Sequence, residues 1–376
     1  VNRPRAAYVH IPFCAHKCGY CDFASVAGLD SLAGRYLSAL ERELSLRLAE
    51  PQSVDTLFVG GGTPTQLEPR LLERLMTLLR RWLPLSPGGE WTVEANPNTL
   101  DATKVGILAD AGVGRISLGA QSFDPNALKV LERNHHPGDV SRAVELITRR
   151  FRSWSLDLIF GVPGSSLSSW LSDLDAALAL APAHLSCYGL VYEKGTPLWK
   201  SLVRGQVQPL DEDLERTMYE ATIDRLEAAG LAMYEISNFA RPGAECRHNL
   251  VYWANEPYFG FGLGAARYLD HVRASNTRDL SAYLRRLESG LVPTGPSEQL
   301  PPEARARETA ILNLRRTRLG IDRAEFTART GFQLDDLCGP ALERHRQAGL
   351  IVDDHRRVRL SRAGLFLADT VMADLL

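Results

Sequence analysis

From residue 6 to about residue 236 the chain alternates short β-rich runs with longer segments of helical period, and this repeat leaves few folds open. Strands are expected at 6–10, 56–59, 91–95, 115–118, 154–159 and 184–188. Amphipathic helices are expected between them at 33–48, 70–83, 103–111, 139–150 and 170–180, with a further helix at 211–229. Strand and helix alternating at this spacing imply a parallel sheet with helical crossovers. Six units are too few for a standard eightfold barrel, so an open or partial barrel is expected. Several of the strands run into Gly-rich or polar turns at 60–63, 96–98, 119–122 and 161–164. In parallel barrels, chemistry sits on the loops at these strand ends.

Beyond residue 236 the pattern changes. Residues 237–292 are rich in Gly and aromatic residues with little clear period, and 293–302 read as a Pro-rich linker. Residues 303–376 then read as a winged-helix-like module, with helices at 303–315, 322–330 and 340–348, a hairpin at 350–352 and 358–360, and a last helix at 362–375. The module carries 13 Arg against 11 acidic residues, and the whole chain a formal charge of -2. Such a balance offers no field for nucleic acid or an anionic membrane. No run of 18 apolar residues occurs and the first eight residues lack a signal-peptide core, so a cytoplasmic protein without a membrane span is expected.

Six cysteines are present, and three of them, Cys14, Cys18 and Cys21, form a C-x3-C-x2-C run directly after the first strand. A disulfide framework would spread its cysteines through a small secreted chain. Three packed thiols read as a metal site instead. A four-iron cubane takes four ligands, normally thiolates, so three from one loop would leave one iron open to an exchangeable ligand. Structural zinc closed by His16 or a distant cysteine is the alternative. Cys187, Cys246 and Cys338 stand singly and read as small apolar core residues.

With Tyr20 before its last cysteine, this run resembles the signature of the radical S-adenosylmethionine superfamily. The resemblance implies a partial (β/α)6 barrel, which agrees with the count of six units, and a 4Fe-4S cluster whose open iron is chelated by S-adenosylmethionine. Gly60-Gly61-Gly62-Thr63 after the second strand, where backbone can approach a ligand closely, strengthens it. So do the segments 8–13, 94–97, 117–123 and 157–163, which look like oxygen-independent coproporphyrinogen oxidases and their relatives. By that likeness Tyr8, Gly61 and Glu94 contact the cluster-bound S-adenosylmethionine. Tyr20, Gly62, Thr63, Gln121, Arg133 and Asp157 match positions that hold a second molecule of it in the oxidase.

Two departures point to another branch. The oxidase pattern has a further cysteine where this chain has Phe23, and it has a longer stretch ahead of the cysteine run. Both features, and the segment Arg247-His248-Asn249-Leu250-Val251-Tyr252-Trp253, resemble the HemW-type heme chaperones, where H-N-x-x-Y-W is associated with heme. That branch implies heme as a ligand, an acceptor protein for it, and a flavodoxin- or ferredoxin-like electron donor, with radical decarboxylation disfavoured. Read from the residues alone, His248 is either an axial iron ligand between flat aromatic walls or a core histidine satisfied by its neighbours.

Overall fold

The computed structural model describes residues 3–376. Its centre is a nine-stranded sheet built on six parallel strands: β1 (Ala6–Ile11), β2 (Val54–Gly61), β3 (Leu85–Ala95), β4 (Arg115–Gln121), β5 (Ser153–Phe160) and β6 (His184–Gly189). The crossover helices are α1 (Ala33–Leu48), α2 (Pro69–Trp82), α3 (Ala102–Ala111), α4 (Pro125–Val130), α5 (Pro137–Thr148) and α6 (Leu167–Ala179). These are the six expected units, each strand one to six residues longer than its apolar run. Neighbouring strands pair in sequence order, as right-handed βα units do.

The other three strands of this sheet were not expected, and two of them, Asn238–Ala240 and Phe259–Phe261, come from the aperiodic stretch. β7 (Ala232–Glu235) and β8 (Asn238–Ala240) form a tight antiparallel pair that extends the sheet beyond β6. β9 (Phe259–Phe261) lies parallel to β1 at the opposite edge. The sheet order is therefore β9-β1-β2-β3-β4-β5-β6-β8-β7, with two free edges: a partial barrel that stays open. Helix α7 (Arg247–Trp253), carrying the His-Asn-x-x-Tyr-Trp run, joins β8 to β9 and packs on β2.

The core lies between sheet and helices. Val9, Leu57, Val93, Ile116, Leu156 and Leu185 on successive strands are fully covered, and α1, α2 and α5 pack their apolar stripes against them. Alternation along each strand turns the other residues toward the barrel interior. These inward positions are Tyr8, Phe58, Thr92 and Glu94, Arg115 and Ser117, Ser155 and Asp157, His184 and Ser186. The interior is thus polar and lined for chemistry.

The C-terminal part has its own core around Leu314, Phe326, Leu342 and Val358. It contains α8 (Pro302–Leu314), α9 (Arg323–Thr330) and α10 (Leu334–Gln347), with a three-stranded antiparallel sheet of Ile321–Asp322, Arg357–Leu360 and Ile351–Asp353. This is the winged-helix-like arrangement expected. Two local readings change. The third helix starts at Leu334, with Asp335 and Asp336 in its first turn, and takes Pro340 into its interior. The last helix breaks at Phe366–Leu367 into Arg362–Leu365 and Ala368–Ala373. Among the described residues, no helix is long and apolar enough to cross a membrane.

Candidate functional site

The cysteine loop leaves the C-terminal end of β1 and is fixed by backbone hydrogen bonds on three sides. Gly19 N–H donates to Leu131 C=O at 3.3 Å, Leu198 N–H donates to Gly19 C=O at 2.9 Å, and Val26 N–H donates to Pro12 C=O at 2.8 Å. Cys14, Cys18 and Cys21 are free thiols and partly exposed, whereas Cys187, Cys246 and Cys338 are buried. Burial, with the Glu90 carboxylate adding to it, pushes the Cys246 thiol up to about 12, so that thiol stays protonated. His16 Nε2 lies 3.7 Å from Glu132 Oε2. Among the described residues, no three His, Cys, Asp or Glu side chains converge on one point as a single zinc ion would require.

Two side chains reach the sulfurs. Thr63 Oγ1 lies 3.7 Å from Cys14 Sγ, and Arg133 Nη1 donates to Cys18 Sγ at 3.4 Å. Asn96 ties them together, donating from Nδ2 to Thr63 Oγ1 at 2.8 Å and accepting at Oδ1 from Arg133 Nη2 at 2.7 Å. Arg133 follows α4 and reaches back over the rim; it does not sit at a strand end. Its Nη2 also donates to Gly119 C=O at 2.6 Å. Asn96 was missed by sequence reasoning, although it sits inside the quoted segment 94–97.

Neighbouring protein groups by themselves require glycine in the turn after β2. A Cβ on Gly60 would fall 2.5 Å from the Glu94 carboxylate, and one on Gly62 2.7 Å from the Pro12 carbonyl. Gly61 adopts φ +109°, and a Cβ there would fall 2.3 Å from the His10 ring. The glycines admit neighbouring protein groups to the turn. Gly61 N–H donates to Glu94 Oε2 at 3.0 Å, which locks the turn to β3.

His10 organises the other side of the turn. Its Nδ1 bonds the Tyr8 hydroxyl at 3.0 Å and its Nε2 bonds Ala24 C=O at 3.0 Å. The ring therefore links the barrel interior to the residues just after Cys21. Burial holds its pKa down at about 4, so it stays neutral. Burial raises Glu94 to about 7, with Asp157 adding to the rise and the Gly61 N–H opposing it. It raises Asp157 to about 6, against hydrogen bonds from Ser186 and Ser117 and the Arg133 charge. Gln121 sits at a register shift between β4 and β5 with φ +67°, a left-handed position that re-aims its side chain. Tyr20, within the cysteine loop, is partly buried near Arg133.

Two cavities meet at this centre. The first, about 220 Å³, runs down the barrel interior past Glu94, Asp157, Arg115 and His184, with the highly exposed Phe23 and Tyr188 among its lining residues. The second, about 420 Å³, is a cleft between α7, the strands after it and the C-terminal part. Tyr252, Trp253, Tyr258, Arg273 and Glu308 line it, and Tyr8 and Tyr252 border both cavities. The His-Asn-x-x-Tyr-Trp run is divided accordingly: His248 and Asn249 face the first, Trp253 the second, Tyr252 both. The Arg315 guanidinium lies 4.4 Å over the Trp253 ring, joining α7 to the C-terminal part.

His248 itself is 1% exposed. Its Nδ1 bonds Thr56 Oγ1 at 2.9 Å and its Nε2 bonds the Tyr252 hydroxyl at 2.8 Å. The ring stacks on Phe58 at 5.3 Å, and burial holds its pKa down at about 3. Thr56 carried no signal in the sequence, since its contact is made across 192 positions.

Comparison with known proteins agrees with this architecture. Residues 8–177 match the model of the radical SAM superfamily and residues 300–367 that of the HemN C-terminal domain. The heme chaperone HemW of Bacillus subtilis is 37% identical over 98% of both chains. That of Escherichia coli is 36% identical over 93% of this chain and 92% of its own. Among solved structures, the coproporphyrinogen III oxidase HemN of Escherichia coli superposes with TM-score 0.87, covering 99% of this chain and 90% of its own. At 22% identity, that likeness shows the fold. The chain belongs to the HemW heme-chaperone family of radical SAM proteins.

Proposed function

We propose that this protein is a heme chaperone: it takes heme into the cleft lined by Tyr252, Trp253 and Tyr258 and hands it to an acceptor protein. Cys14, Cys18 and Cys21 would hold a 4Fe-4S cluster whose open iron takes S-adenosylmethionine, contacted by Tyr8, Gly61 and Glu94. That pair supplies one-electron chemistry at the mouth of the barrel when bound. Around it the chain's own residues shape the loop: Thr63 and Arg133 donate toward the sulfurs, and His10 fixes the segment after Cys21. Arg133 makes three protein contacts already, which leaves it less able to anchor a second S-adenosylmethionine.

The observation that carries the reading is the shared wall: Tyr8 and Tyr252 separate the cluster-side cavity from the aromatic cleft. A flat apolar ring stacks favourably on such side chains. The cleft opens beside the C-terminal part, where an acceptor could approach, in the cytoplasm with a flavodoxin- or ferredoxin-like donor. Phe23, highly exposed where the oxidase has a cysteine, argues against oxidative decarboxylation.

A paired measurement tests this. Anaerobically reconstituted protein is titrated with heme and, separately, given coproporphyrinogen, S-adenosylmethionine and a reductant. Stoichiometric heme binding with no vinyl product is expected; efficient vinyl formation would replace the chaperone reading with the oxidase.

A further inference from the structure

We infer that the outer face of the cysteine loop is the docking surface for a small acidic one-electron carrier protein of the ferredoxin type, held by Lys17, Lys129 and Lys200. The inference rests on the cluster reading above and is independent of the heme reading. It adds the place of the donor's contact and the chemistry that recognises it.

The chain has five lysines among its 43 basic residues, and three of them converge on this loop. Gly19 is the junction: its N–H donates to Leu131 C=O at 3.3 Å, and its C=O accepts from Leu198 N–H at 2.9 Å. Lys17 in the loop, Lys129 on α4 and Lys200 on the short helix Pro197–Val203 each stand two residues from one of these three backbone positions. Beneath them Tyr20, Ala127, Leu131 and Leu198 pack into one apolar cluster, which fixes the three elements against one another. All three lysines are exposed, and Lys17 Nζ donates to Phe23 C=O at 3.5 Å. The ion pairs at the loop are His16–Glu132 and Arg278–Asp22; among the described residues, the three lysines enter none. Within two residues of Gly19, Leu131 and Leu198 the acidic residue is Glu132, against Lys17, Lys129, Lys200 and Arg133. A chain of formal charge -2 thus gathers positive charge where its three thiols lie.

Lysine suits an encounter that must form and dissolve quickly. Its compact, strongly hydrated ammonium steers a carboxylate surface from a distance without the rigid two-pronged grip of arginine. Phe23, beside Lys17, is 61% exposed, and Val203, one turn from Lys200, is 65% exposed; they supply apolar contact among the charges. Electron-transfer encounters bury less than about 1,200 Å² in total, so a patch spread over three short elements suffices. One electron leaves the reduced carrier and enters the cluster held by Cys14, Cys18 and Cys21; no atom or proton is transferred. The loop lies at the C-terminal end of β1, whereas the aromatic cleft lies between α7 and the C-terminal part. Carrier and heme are therefore expected to bind together.

The test uses the full chain, reconstituted anaerobically, with an acidic plant-type ferredoxin as probe. Affinity is measured by calorimetry, and cluster reduction by stopped flow with reduced ferredoxin and, separately, with dithionite. Wild-type affinity should fall at least tenfold from about 0.01 M to about 0.15 M salt, as the Debye length shrinks from about 30 Å to about 8 Å. The double variant Lys129→Glu/Lys200→Glu should keep its iron, sulfide and dithionite rate, yet lose at least tenfold in ferredoxin affinity and in reduction rate. Arg80→Glu/Arg149→Glu, the same change of charge at exposed positions on α2 and just after α5, should behave as wild type. In wild type, carbodiimide should cross-link ferredoxin carboxylates to Lys17, Lys129 or Lys200, which decides the matter even if the double variant were poorly folded. Unchanged affinity in a folded double variant, an equal loss in the arginine control, cross-links that miss all three lysines, or no ferredoxin binding would each overturn the docking surface and leave the cluster reading standing. Failure of wild type to assemble any cluster would overturn both.

Discussion

The cysteine loop and helix α7 were both singled out by residue type, yet the fold treats them in opposite ways. The loop's three thiols are partly exposed, and two of them receive donors from Thr63 and Arg133. The histidine of α7 is sealed in the interior with both nitrogens used. A residue able to bind metal becomes a ligand where the fold leaves its lone pair open. Where both lone pairs and N–H groups are already satisfied, the same residue type is held as part of the packing.

The largest effect expected from breaking this contrast is at the loop. Cys14→Ser, Cys18→Ser or Cys21→Ser should each remove most of the iron and sulfide after reconstitution. Cys187→Ser, Cys246→Ser and Cys338→Ser should retain it, because those thiols are buried apart from the loop. Equal metal content across the two sets, measured by iron and sulfide assay, would erase the distinction.

A smaller effect is expected at Gly61. Its φ of +109° disfavours any side chain, and an Ala Cβ would meet the His10 ring at 2.3 Å. Gly61→Ala should cost about 2–4 kcal/mol, from backbone strain and overpacking together. Urea unfolding would measure it, and a loss under about 0.5 kcal/mol would show that the turn yields easily.

The smallest concerns acid. Burial depresses His248 to about 3 in the folded state, against an ordinary value of 6.5. Below pH 6.5 the unfolded chain takes up the proton first, so this residue's contribution to stability falls as pH drops from about 6.5 toward 3. His10, held at about 4, acts in the same direction, whereas Glu94 and Asp157, with raised values, act oppositely. His248→Gln should therefore flatten the acid limb of the unfolding free energy by about 1–3 kcal/mol between pH 7 and 4. An unchanged limb would mean that the ring protonates in place.

Much of the barrel was legible because its signals are local. Apolar strands at 115–118 and 184–188 sit between helices whose stripes repeat every three or four residues, and each became a real strand. The segment 237–292 was opaque for the converse reason. β9 is three residues long and exists because β1, some 250 positions earlier, offers an unpaired edge. Helix α7 is only seven residues, too short for a period to show. At the site, Glu94 and Asp157 were legible as polar residues on β-rich runs, while Thr56 and Asn96 matter only through partners supplied by other strands.

The sequence by itself determined the six βα units, the three-thiol loop and the family resemblance, since each is carried by neighbours in the chain. Tertiary structure alone decided which histidine nitrogens remain free, why the glycine turn needs glycine, and that Tyr8 and Tyr252 divide two cavities. Those outcomes depend on which groups meet across the sheet once it twists into an open barrel. Whether a buried polar atom is satisfied is settled by that meeting, and composition and spacing do not encode it.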